Sequence, residues 1–204
     1  PEPEGTGPTR RGFLWGAAAS AGAVTLATVG QTVRPQQDLS VLAPRRPADG
    51  PQGIPVNKSA VGARVTGLAT APDYALLVDG RVERELRLTL ADLQALPQHE
   101  ADIAIACVEG WSAGAQWSGV RVRDLLDRAG APQDAEVIVH SLQPRGAYRA
   151  SELNVPHARS DQTLLALRVG GEELHLDHGF PARLISPNRP GVMQTKWVGR
   201  LEVL

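Results

Sequence analysis

Ile103-Ala104-Ile105-Ala106-Cys107-Val108-Glu109-Gly110-Trp111-Ser112 changes character at its centre. The four residues before the cysteine form a compact apolar run that reads as a buried strand, and those after it turn abruptly into a polar, glycine-containing turn. Strand ends of this kind are where sites are built, and this one carries the only cysteine of the chain. A small residue closing an apolar strand is often a packed core cysteine. The same position suits a soft metal ligand or a nucleophile, and either role needs neighbouring positive charge to hold the thiolate. From these residues alone both readings stand. One cysteine excludes an intrachain disulfide and any metal site built from several thiolates, so the fold must rest on its core.

Outward from this junction the elements alternate in kind. Tyr74 to Val78 is a short strand pattern, and Asp79-Gly80 is a turn signal leading to a second strand. Thr89 starts a short helix with Asp92 as its capping partner and Leu93 and Leu96 on the buried side, and Pro97 stops it. Val122, Leu125, Leu126 and Ala129 recur at helical spacing, with Gly130 as the stop. Val137 to Val139 reads as a buried strand, Leu164 to Val169 and Glu172 to Leu176 as a hairpin about Gly170-Gly171, and Trp197 to Leu204 as a closing strand. Many short strands with two or three short helices predict an α+β domain rather than a doubly wound parallel sheet. The glycines around Gly12–Gly22 and Gly110–Gly119 have neither the spacing nor the lysine of a phosphate loop, so nucleotide folds are excluded.

The 204 residues, 42% apolar and 21% charged, suffice for one domain with a sizeable core. A formal net charge of -1 provides no global field for nucleic acid. Thr9-Arg10-Arg11-Gly12-Phe13-Leu14 ahead of an uncharged run from Trp15 to Val29 reads as an export address. The expected organisation is a polar segment with a twin arginine over 1–11, an apolar signal or anchor helix over 12–29, a Pro-rich linker over 30–60, and the folded domain over 61–204. The domain is then expected on the extracytoplasmic side, anchored to a membrane through the N-terminal helix. A lone thiol there would be oxidised unless buried or ligated. Asn57-Lys58-Ser59 matches a glycosylation triplet only formally.

A second informative stretch runs from Asp177 through His178, Arg183 and Arg189 to Lys196-Trp197. By charge alone it is a solvated basic loop. Yet Lys196 is one of two lysines in the chain, and Gly and Pro frame Arg183. Such a frame suits an anion, with the Arg fork on a phosphate and Lys as a point charge.

Cys107-Val108-Glu109-Gly110-Trp111-Ser112, Trp117-Ser118-Gly119-Val120, Asp124-Leu125-Leu126, His178-Gly179-Phe180-Pro181-Ala182-Arg183-Leu184 and Lys196-Trp197, taken in that order, resemble the sulfite-oxidase-type molybdopterin-binding domain. The resemblance covers Tyr74 to Leu204. It implies a sulfite-oxidase-like α+β fold with mixed sheets and short helices, holding one molybdenum on a molybdopterin. By that resemblance Cys107 is the catalytic residue and the ligand to the metal. His178 and Arg183 hold the pterin and its phosphate, and Lys196, Thr195 and Ser141 contribute to the same site. The implied chemistry is oxygen-atom transfer with a small-molecule substrate. Electrons pass to or from a separate electron-transfer partner, for which a membrane haem or quinone protein is the candidate. Sulfite-oxidising members place further arginines near the metal. Here Glu109, Trp111 and Trp117 follow the cysteine, a pattern similar to the bacterial branch that reduces oxidised methionine in exported proteins.

Two readings of another kind remain beside it. A cofactor-free thiol enzyme would use Cys107 as nucleophile with His157 or His178 as base. A non-catalytic interaction module on the same fold would be marked by loss of Cys107 or Arg183, and both are present. His99, His140 and His175 read as ordinary structural or surface residues. Trp111, Trp117 and Trp197 either line the pocket or pack the core.

Overall fold

Leu164-Leu165-Ala166-Leu167 is apolar at every position because the strand it forms is covered on both faces. Leu165 and Leu167 point into one core cluster, with Leu125, Leu126 and Leu184, while Leu164 and Ala166 point into a second, with Trp111, Trp117 and Ile185, which Val169 joins past a register shift opposite Ser118 and Gly119. The period of two along a strand thus joins two cores through one sheet.

The computed structural model describes residues 9–29, 50–108 and 110–204. The chain divides into two compact units, Pro1–Pro44 and Arg45–Leu204. In the first, α1 spans Arg10–Val29. Among the described residues no helix is long and apolar enough to cross a membrane. α1 over the expected signal or anchor segment has the length of a span, but Ala and Gly dilute its hydropathy. Residues 1–8 and 30–49, where the polar leader and most of the linker were expected, lie outside the described residues.

The second unit is built from β1 (Ala75–Gly80), β2 (Leu86–Thr89), β3 (His99–Ala106), β4 (Ser112–Arg121), β5 (Val137–Ser141), β6 (Ala150–Leu153), β7 (Leu164–Val169), β8 (Glu172–Glu173), β9 (Arg183–Ile185) and β10 (Val198–Val203). Five short helices accompany them: α2 (Ala60–Ala63), α3 (Thr66–Ala69), α4 (Leu90–Ala95), α5 (Val122–Ala129) and α6 (Val155–Ala158). One sheet runs β2-β1-β10-β5-β6, and the other β3-β4-β7-β8 with β9 also on β7. The β1–β10 pair is parallel, with Leu77 opposite Arg200, and the remaining pairs are antiparallel. This mixed, two-sheet architecture is the expected α+β class.

Local chemistry accounts for the helices. Thr89 and Asp92 form a reciprocal capping box on α4. In α5, Val122, Leu125, Leu126 and Ala129 are fully buried and Gly130 closes the helix, each large side chain contributing roughly 1.5–3 kcal/mol. Three expectations shift. Asp79-Gly80 ends β1 rather than turning the chain. The apolar run before Cys107 is not buried throughout, because Ile103 and Ile105 face the second core while Ala104 and Ala106 are exposed. The linker does not extend to residue 60: Ile54 is 3% exposed within the second core and Ala60 is fully buried. The β4 and β6 strands form in stretches to which the sequence pattern assigns no element.

Candidate active site

The alternation along β3 that buries Ile103 and Ile105 carries Cys107, two residues further, toward the same face. There it packs half-buried against the second core. Cys107 opens the tight turn between β3 and β4, in which its N–H donates to the Trp111 carbonyl at 2.9 Å and its carbonyl accepts from Gly110 N–H at 3.1 Å. Across that core, Arg183 and Ile185 share one face of β9, opposite Leu184. A thiol and a guanidinium are thereby directed to one cleft, whose walls are Ile54, Asn57, Trp111, Gly191 and Lys196. Its volume is about 10 Å³. A neighbouring pocket of about 120 Å³ shares Asn57, Gly191 and Lys196 with it and adds Lys58, Tyr148 and Thr195. No Asp or Glu lines either space among the described residues. Glu109 lies outside those residues.

Arg183 is 4% exposed. Its Nη1 donates to the His178 carbonyl at 3.1 Å, its guanidinium carbon stands 5.3 Å from the Trp117 ring centroid, and its Nε is buried without a partner among the described residues. Burial pushes the guanidinium down to about 9, so it is charged at neutral pH. A buried cation offset by a carbonyl and an aromatic face suits an anion. Lys196 Nζ donates to the carbonyls of Asp177 at 2.7 Å and Lys58 at 2.9 Å, and lies 5.3 Å from the Trp197 ring. Gly179 makes this crowding feasible: its φ is +115°, and a Cβ there would meet Lys196 Cβ at 3.1 Å and Arg183 Cβ at 3.2 Å.

His178 is fully buried, with Nε2 2.6 Å from the Pro51 carbonyl and Nδ1 without a partner among the described residues. Burial pulls it down to about 4, helped by the positive charge of Arg183 and Lys196 and opposed by the Pro51 hydrogen bond. The ring is therefore neutral at pH 7. Nε2–H donates to Pro51 and Nδ1 remains an acceptor. Since the unfolded imidazole titrates near 6.5, stability should fall as pH drops from 6.5 toward 4, by about 3 kcal/mol for this group. Denaturant melts across that range should show the loss in the wild type. They should show it largely removed in His178→Gln, which keeps a donor for Pro51. Equal pH slopes in the two proteins would show that His178 is not buried neutral.

Other expected residues stand one step back. The Ser141 hydroxyl donates to the Lys196 carbonyl at 2.8 Å and accepts from Gln143 N–H at 3.2 Å. It orients the Lys196 backbone and lines neither space. The Thr195 and Ser151 hydroxyls are 2.6 Å apart, and Thr195 lines the larger pocket. Trp111 walls the Cys107 cleft, Trp117 underlies Arg183 and donates to the Ile103 carbonyl, and Trp197 donates to the Leu176 carbonyl. His157 caps α6 with Asn154 and lines neither space, nor does His178. Neither histidine named for the thiol-enzyme alternative lines the cleft at Cys107. His99 and His140 pair with Asp124 and Glu202 away from the cleft. The sequence reading missed Asn57 and Lys58, which lay in the supposed linker. The apolar Ile54-Pro55-Val56 beside them was the available signal.

Comparison with known proteins places these features. The family model "oxidoreductase molybdopterin binding domain" matches residues 63–204. The sulfite oxidase of Gallus gallus is 34% identical over 161 residues, covering 64% of this chain and 34% of that protein. The "putative protein-methionine-sulfoxide reductase subunit YedZ1" of Azospira oryzae is 35% identical over 133 residues, covering 65% and 50%. Among solved structures, the sulfane dehydrogenase SoxCD of Paracoccus pantotrophus aligns with a TM-score of 0.58 at 27% identity, covering 64% of this chain and 38% of that one. The chain thus spans between a third and a half of the length of these relatives. The matched region takes in the cysteine turn, the buried arginine and the lysine before β10, and the chain belongs to the oxidoreductase molybdopterin-binding domain family.

Proposed function

We propose that this domain is the cofactor-binding core of an extracytoplasmic oxidoreductase that moves an oxygen atom to or from a small substrate and exchanges electrons with a separate redox protein. The observation that carries it is one cleft holding a thiol, a buried arginine and a lysine, with no carboxylate lining it among the described residues. Those residues fit a molybdopterin. The unpartnered Arg183 Nε and His178 Nδ1 supply a cationic donor and a neutral acceptor, and among the described residues no cluster of three or more His, Cys, Asp or Glu offers a rival metal site.

Bound here, the molybdenum–pterin group supplies the oxygen-atom transfer and the two-electron chemistry. Cys107 offers the soft thiolate ligand that such a metal prefers. Arg183 and Lys196 would neutralise the anionic cofactor, and His178 would offer Nδ1 to a pterin donor while Nε2–H stays with Pro51. Ser141 and Gly179 act through the Lys196 backbone. Trp111 and Ile54 keep water from the thiolate. Arg10-Arg11 at the start of α1 supports export. The Azospira relative, described as a subunit, supports a separate electron partner.

Protein purified from a molybdenum-replete host should carry one molybdenum and one pterin per chain, measured by elemental analysis and by pterin fluorescence after oxidation. A metal-free and pterin-free protein from a host that loads a relative would overturn the proposal.

A further inference from the structure

The segment between Gly50 and Ala60 lies across the residues that would hold the cofactor. Ile54 and Pro55 wall the cleft at Cys107. Pro51 takes the Nε2 donor of His178, and the Lys58 carbonyl takes a Nζ donor of Lys196. Gln52 adds three ties to the β8 region, its Nε2 donating to the Glu173 carbonyl at 2.9 Å and to Glu172 Oε2 at 3.5 Å and its Oε1 accepting from His175 N–H at 2.9 Å. At the far end Lys58 Nζ donates to Gln143 Oε1 at 3.0 Å and Ala60 N–H donates to Asp177 Oδ1 at 2.7 Å. With this segment in place, the cleft at the thiol is about 10 Å³, room for no more than about one water molecule.

The geometry points to Pro51–Ser59 as a strap that lifts to admit the molybdopterin and then closes over it. This inference rests on the cofactor assignment above. Two features suit the segment to opening. Its grip is a set of hydrogen bonds, several of them at the surface, with Ile54 and Pro55 as its buried apolar anchors, and few apolar contacts mark the low-stability end of a fold. Its start is a shaped turn: Gly50 has φ +143°, and a Cβ there would meet the Ile54 carbonyl oxygen at 2.1 Å. Only glycine makes that turn, and a turn without side-chain packing serves as the hinge. Entry and retention are thereby separated. His178 Nε2 and Lys196 Nζ tie the strap down over the cleft, so the strap blocks entry and encloses afterwards.

The test uses the full chain, with molybdopterin freed from a denatured loaded relative as the probe. In the cofactor-free protein, amides of residues 51–59 should exchange at least about tenfold faster than those of β10, and loading should slow them. Gln52→Ala, which cuts these surface ties and touches no cofactor-holding residue, should raise both uptake and release rates about threefold to tenfold, with the amount bound at saturation unchanged. Strap amides as protected as β10, or an uptake rate unchanged by Gln52→Ala, would overturn the strap while normal pterin binding left the cofactor assignment standing. A wild type that binds no pterin while its strap amides exchange fast would overturn the cofactor assignment instead, and with it the purpose of the opening.

Discussion

Cys107→Ser is expected to give a folded protein that retains its pterin, loses its molybdenum, and turns over at least about a thousandfold more slowly, a loss of roughly 4 kcal/mol in transition-state stabilisation. The fold should survive because the turn is held by main-chain bonds to Trp111 and Gly110 that serine also makes, and because the side chain is only half-buried. The metal should not survive, because a hydroxyl is a hard, protonated donor where a soft thiolate is needed. The pterin should remain, since Arg183, Lys196 and His178 are untouched. Molybdenum and pterin per chain, measured on one sample beside dye-coupled turnover, separate the outcomes. Full turnover in the variant would remove Cys107 from the reacting centre.

Arg183→Met should move stability and binding in opposite directions. The guanidinium is buried with no carboxylate partner among the described residues, and burial alone accounts for its lowered pKa. Replacing such a cation by an apolar side chain of similar length removes a desolvation cost, so the cofactor-free protein should be as stable or up to about 2 kcal/mol more stable. The same change should weaken pterin binding by at least about a hundredfold, roughly 2.7 kcal/mol, because a charge-assisted fork is lost. Urea melts of cofactor-free protein and pterin retention on dilution measure the two effects. A parallel fall in both would mean that Arg183 is a structural post between Trp117 and the His178 carbonyl, and that the anion site lies elsewhere.

What was legible in the sequence was what local rules govern. The Thr89–Asp92 cap and the buried stripe of α5 follow from spacing within a few residues, and both formed as read. The break after Cys107 was visible as a change of character, but the β4 strand that follows was not. Its alternation of Gly, Ala, Ser and Gln with Trp carries little hydrophobic signal, and it is pairing with β3 and β7 that makes it a strand. Arg183 and Lys196 were visible as candidates, whereas the burial of Arg183 was not, since no local pattern encodes an aromatic ring placed beneath a cation. The strap was hidden for a related reason. Proline and polar residues mark a linker by composition, and only tertiary packing shows that Ile54 is core.

The parallel pairing of β1 with β10 has a consequence in time. Val198–Val203 lies at the centre of its sheet, with β1 on one side and β5 on the other. While the chain is being synthesised, β1 and β2 can meet as a hairpin and β5 can meet β6, but the two halves cannot join until β10 has left the ribosome. A nascent chain stopped at Trp197 lacks the middle of that sheet, not its edge. The same late segment sets Lys196 and Trp197 against Gly179 and Leu176. Joining the two halves therefore also sets Lys196 in place, and without β10 the cleft at Cys107 lacks one of its walls.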